Sequence, residues 1–253
     1  MSLKKRTATA LPFAALALAA GSASAATVSF QEGVSPTAGL AHDAVFIRSG
    51  TNADINQNTS DQIIIGTTAG GGSAAIRGLL EFDISAIPAT NVIDLASLVL
   101  TTHSAGINNV GVAAAITSFD VYSYGFNFDE TTATWNDPAV GDSSDGGTVG
   151  TFLTSASIDV ESAAGVTIAF GSSSAFTTAV GDALAGDGQL RLIIRNNDES
   201  TVGTHNFARF AAEDFATTGS RPELVIEHSM IPEPSSLALL GLGGLALLRR
   251  RRK

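Results

Sequence analysis

The stretch Ile76-Arg77-Gly78-Leu79-Leu80-Glu81-Phe82-Asp83-Ile84-Ser85-Ala86-Ile87-Pro88 decides how the rest of the chain is read. Leu80, Phe82 and Ile84 fall on one side of a two-residue period, and Arg77, Glu81 and Asp83 fall on the other. That is the pattern of a strand with one buried face. Pro88 has no amide proton and ends the ladder, and after a polar link the run Ala96-Ser97-Leu98-Val99-Leu100-Thr101 supplies a second strand of the same core.

The same texture continues on both sides, with short apolar runs separated by Gly, Ser, Thr, Asn and Asp, an all-β signature. Expected strands are 44–48, 62–65, 77–84, 96–101, 116–123, 149–153, 165–170, 190–195, 206–211 and 223–227. The runs Gly70-Gly71-Gly72 and Asp142-Ser143-Ser144-Asp145-Gly146-Gly147 are polar and aperiodic and are expected as loops. One helix is expected from Ser174 to Ala185, because Phe176, Ala179, Val180, Ala183 and Leu184 share a face at helical spacing. Serines can cap its start, and Gly186 can take the left-handed conformation past its end. Trp135 lies within the run Phe128 to Pro138, which ends in an Asn-Asp-Pro turn, and reads either as a core anchor or as a stacking platform for a sugar.

Both termini read as targeting segments rather than fold. Lys4, Lys5 and Arg6 precede the apolar run Leu11 to Ala20 and the small residues Ala23-Ser24-Ala25, the layout of a secretory signal peptide spanning 1–25. At the other end Ile231-Pro232-Glu233-Pro234-Ser235-Ser236 leads into the apolar run Leu237 to Leu248 and then Arg249 to Lys253. A 12-residue helix is about 18 Å long, short of the ~30 Å hydrocarbon core, so it anchors weakly, with its cationic end left in the cytoplasm. The residues between, 27–229, form one domain.

That body carries six arginines and no lysine against 23 acidic residues, a formal charge of −17. A surface of this sign repels nucleic acid and anionic lipid. The chain has no cysteine, and a domain of this length buries a sufficient core without disulfides. Asp142 and Asp145 beside two glycines could hold a structural calcium ion, since that cation takes six to eight oxygen ligands. The four histidines show neither an H-E-x-x-H run nor metal spacing, and no G-x-S-x-G elbow is present, so no enzyme is expected.

Two resemblances rest on these residues. Pro232, Glu233 and Pro234, the short apolar run and the arginine cluster resemble a PEP-CTERM sorting tail over residues 231–253. This implies an exosortase-type membrane protease as partner, transient anchoring in the inner membrane, and delivery to the cell surface or extracellular matrix. The body, over roughly 43–227, resembles the DNRLRE-domain family. Arg77, Phe82, Asp83, Pro88, Glu130, Thr134, Trp135, Asn136, Pro222 and Leu224 stand at that family's motif positions. The resemblance implies a jelly-roll-like antiparallel β-sandwich related to carbohydrate-binding modules, with extracellular polysaccharide as partner. Tyr122, Tyr124 and Trp135, the aromatics besides phenylalanine, are then the sugar-binding candidates. A purely structural surface or biofilm-matrix protein, with no defined sugar ligand, is the alternative reading.

Overall fold

The computed structural model describes residues 25–34, 36, 42–58, 61–69, 74–103, 116–159, 164–199 and 205–230. Their elements run in the order β1 (Ala25–Gln31), β2 (His42–Arg48), β3 (Gln62–Thr68), β4 (Ala74–Asp83), β5 (Val92–Thr101), β6 (Ile116–Ser123), β7 (Phe152–Asp159), β8 (Thr167–Phe170), α1 (Ser174–Ala185), β9 (Gln189–Asn196), β10 (Asn206–Ala211) and β11 (Glu223–Ser229). All strand pairs are antiparallel. One sheet has the order β1-β11-β5-β8; the other runs β10-β3-β4-β9-β6-β7, with β2 also paired to β4. The two sheets make the expected jelly-roll-like sandwich.

β4, the stretch quoted first, is central. It bonds β2 along one edge and, along the other, β3 from Ala74 to Ile76 and β9 from Gly78 to Asp83. Its Leu80 and Phe82 enter the core between the sheets with Leu98 and Leu100 of β5, Phe119 of β6 and Leu224 of β11, each at most 1% exposed. α1 closes one end of this core with Phe176, Val180 and Leu184. The Ser173 hydroxyl accepts the Phe176 amide at 3.0 Å, satisfying an otherwise orphaned N–H of the first turn. Its far end differs from expectation: Gly186 keeps φ at −93°, and the left-handed residue is Gly188, φ +78°, whose amide reaches the Ala183 carbonyl at 2.9 Å.

Every expected strand is present, with one shift and one addition. The strand expected at 149–153 lies at 152–159, and β1, at the edge of the smaller sheet, was hidden in a run read as the end of a leader and a polar start. β1 contributes only Phe30 to the core among its fully enclosed side chains, so alternation in it is weak. Residues 1–24 and 231–253, which hold the leader and the sorting tail except Ala25, lie outside the described residues. Among the described residues no helix is long and apolar enough to cross a membrane.

The second face of β4 departs from a solvated one. Leu79 joins Val45, Ile47 and Ile193 in a second apolar cluster, covered by Tyr124, Phe128, Ala133 and Ala139 from the 124–150 segment. The larger sheet is thus buried on both faces around its middle.

Candidate functional site

Strand register arranges this outer face in rows. Val45, Leu79, Ile193, Tyr122 and Phe152 form one row, flanked by Asp43-Glu81-Arg191 on one side and by Ile47 beside Arg77 on the other. Arg77 is the hub of its row. Its guanidinium meets Glu199 at 2.7 and 2.6 Å through two N–H groups, the fork geometry in which arginine binds carboxylate most strongly. A third N–H donates to the Gly146 carbonyl at 2.8 Å, and the same group lies 5.0 Å from the Trp135 ring centre. Gly146 has φ +76°, and a methyl group there would meet the Trp135 ring at 2.6 Å, so both its conformation and its contact demand glycine.

Trp135 is half-buried in this assembly, with one face taken by Arg77. It sits in a series of turns rather than in a strand. Its neighbour Asn136 ties the 50–58 loop through its amide nitrogen to Asp54 at 2.7 Å, and Asn56 returns the link to the carbonyls of Glu130 and Ala133 at 2.7 and 2.9 Å. The motif residues Arg77, Glu130, Trp135 and Asn136 therefore form one scaffold that pins two loops onto the sheet.

Tyr124 and Asp142 also turn inward. Tyr124 is 4% exposed and donates its hydroxyl to the Asp142 carboxylate at 2.9 Å. Burial, with that bond, pushes the Tyr124 pKa up. The Asp142 oxygens accept three further bonds, from the Ser144 amide, the Thr148 amide and the Thr148 hydroxyl. Its burial opposes ionisation, but these donors overcome it and hold the pKa below the ordinary value. Asp145 is exposed. A calcium ion shared by the two aspartates would have to displace those four donors from Asp142, and among the described residues no group of three or more His, Asp or Glu side chains is arranged to hold a metal.

Tyr122, half-buried like Trp135, also lies beside a cation. Its ring stands edge-on to Phe152, centres 5.6 Å apart, and Phe152 is 48% exposed. Arg195 lies 4.8 Å from the Tyr122 ring centre and donates to its hydroxyl at 3.1 Å, while that hydroxyl donates to Asp120 at 3.3 Å. The result is an aromatic pair with a planar cation and a carboxylate beside it. Sequence reading missed Phe152 and Arg195, since Phe reads as core and an arginine at a strand end reads as solubility; the available signal was the register of Tyr122 with both strands.

A second electrostatic feature lies toward the other margin of this face. The Glu130 and Glu213 carboxyls each have an enclosed oxygen, and the protonated Glu213 carboxyl hydrogen-bonds to Glu130. Burial above all, with Glu130 and Asp214 adding repulsion, pushes the Glu213 pKa well up. Asp43 is raised to about 6, again by burial first and then by Glu130, Glu81, Asp129 and Glu32.

The family model described as carbohydrate-binding module family 96 matches residues 36–227. The chain belongs to that family. This is the carbohydrate-binding-module class that the DNRLRE resemblance implied, under a different family description. A second model, the PEP-CTERM protein-sorting motif, matches residues 231–253 and so covers Pro232, Glu233 and Pro234. Among curated proteins none matches the chain. A solved structure titled for infectious bursal disease virus Gx strain matches at 10% identity and a TM-score of 0.17, over 88% of this chain; the chain spans 42% of that protein's length, and the likeness carries no argument. A family 96 module with a PEP-CTERM motif is an exported, surface-associated protein of carbohydrate-binding type.

Proposed function

We propose that this family 96 module binds extracellular polysaccharide without cleaving it, and that the Tyr122, Phe152 and Arg195 patch is the contact face. The observation that carries the reading is Arg195 stacked on Tyr122 beside an exposed Phe152. Pyranose rings pack their C–H faces on aromatic rings, and a planar guanidinium supplies bidentate donors for hydroxyl or carboxylate oxygens. In a body without lysine, an arginine set beside an aromatic pair supports that role. On this reading Trp135 and Tyr124 act through the scaffold, holding the loops rather than touching sugar.

Delivery follows from the tail. An exosortase-type protease reads Pro232-Glu233-Pro234 and separates the body from the apolar helix, which anchors it transiently in the inner membrane with the arginines on the cytoplasmic side. Sedimentation of the protein with insoluble polysaccharides tests the binding half. Capture that falls about tenfold or more in Tyr122→Ala and in Arg195→Ala, at unchanged melting temperature, supports the patch, since stacking and a charge-assisted bond each contribute on that scale. No capture by any polysaccharide would leave the structural-matrix role in its place.

A further inference from the structure

Next to the patch, α1 and the ends of β6, β7 and β9 enclose a cleft of about 410 Å³. Ser123 and Thr151 on its rim directly follow Tyr122 and precede Phe152 in the chain, so the patch and the cleft are adjoining parts of one strand pair. The volume falls within the range of small-molecule sites, though toward its lower end.

The lining decides the chemistry. Leu153 and Leu190 give an aliphatic floor, and Thr178, Asp182, Gln189 and Arg191 give the polar wall. Arg191 is already committed: its guanidinium pairs with Glu81, with Asp187 at 2.9 Å, and with the Asn127 side chain at 3.4 Å. The Thr178 hydroxyl donates to the Ser174 carbonyl at 2.8 Å and so offers its lone pairs to the cleft. The Gln189 amide donates to Asp83, which leaves its carbonyl oxygen as an acceptor. The wall is therefore rich in acceptors and poor in free cations, with the Asp182 carboxylate at its mouth on the exposed side of the helix.

Hydroxyl groups supply the donors such a wall needs, and a ring's C–H surface suits the leucine floor. A carboxylate would meet Asp182 with no uncommitted cation to offset the repulsion. We propose that this cleft binds one uncharged pyranose unit. It deepens the polysaccharide reading by adding a subsite for a neutral sugar, and it stands or falls separately from the patch.

Saturation-transfer NMR on the full chain tests it, with D-glucose, D-galactose, D-mannose and D-glucuronate as probes. The expected result is saturable transfer to at least one neutral hexose and about tenfold weaker binding of glucuronate, the scale of one unfavourable polar contact. Thr178→Trp, at an exposed helix position, fills the cleft and abolishes the transfer. Asp182→Asn narrows the preference for the neutral sugar. The proposal is overturned if no hexose shows saturable transfer, if Thr178→Trp removes none of it, if the part that Thr178→Trp removes is as strong for glucuronate as for the hexoses, or if Asp182→Asn leaves that preference unchanged. Loss of polysaccharide capture in Tyr122→Ala alongside any of these failures would leave the patch standing without the cleft.

Discussion

Arg77 makes its contacts with three separate parts of the chain, Glu199 after β9, the Gly146-Gly147 turn and Trp135, and its side chain is only 12% exposed. Arg77→Ala strands the Glu199 carboxylate and frees the turn, and is expected to cost about 3 kcal/mol by chemical denaturation, at the lower end for breaking a buried pair because both partners keep some solvent. Arg77→Lys should recover little of this, since a point charge reproduces neither the fork nor the stacking. Asp142 is the other residue whose role is decided by its partners. Asp142→Ala removes the acceptor of the buried Tyr124 hydroxyl and should cost about 2–3 kcal/mol. Because its four acceptor bonds are already made within the protein, melting curves in calcium and in chelator are expected to coincide. A calcium-dependent shift would place an ion there after all.

At the level of elements, β4, β5, β6, β10, β11 and α1 were legible because their apolar residues repeat with the period of the element. The double burial of the larger sheet was not. Arg77, Glu81 and Asp83 give β4 a polar side in sequence, and only the fold shows that Glu199 and Arg191 neutralise the first two while the 124–150 segment covers Leu79 between them. The site suffered for the same reason, since which aromatics meet solvent depends on a loop crossing the sheet. Phe82, 1% exposed between the sheets, gives the plain core test, with Phe82→Ala expected to cost about 3–5 kcal/mol. The acidic margin gives a pH test. Asp43 and Glu213 keep their protons in the folded chain where the unfolded chain has released them, so their contribution is fullest below the ordinary values of 3.8 and 4.5. It is lost as pH rises, through about 6 for Asp43 and further up for Glu213. Glu213→Gln, which mimics the protonated form, should flatten the alkaline decline in melting temperature; an unaltered profile would remove Glu213 as its source.

For the whole molecule, the proposed function requires that a strongly acidic body be brought to a polysaccharide and kept there. Replacing Pro232-Glu233-Pro234 by alanines is expected to leave an unprocessed, membrane-retained product, seen as a higher mature mass in the membrane fraction; normal processing and release would refute the sorting role. Retention at the surface would then depend on the proposed binding face, Tyr122 and Phe152 with one arginine, on a sheet whose middle is given over to structure. The most direct measurement is co-sedimentation of the domain with extracellular polysaccharide, comparing wild type with Tyr122→Ala and Arg195→Ala at matched stability. Capture by the wild type that is lost in both variants is the predicted result; capture that persists undiminished in both, or no capture by the wild type, would contradict it.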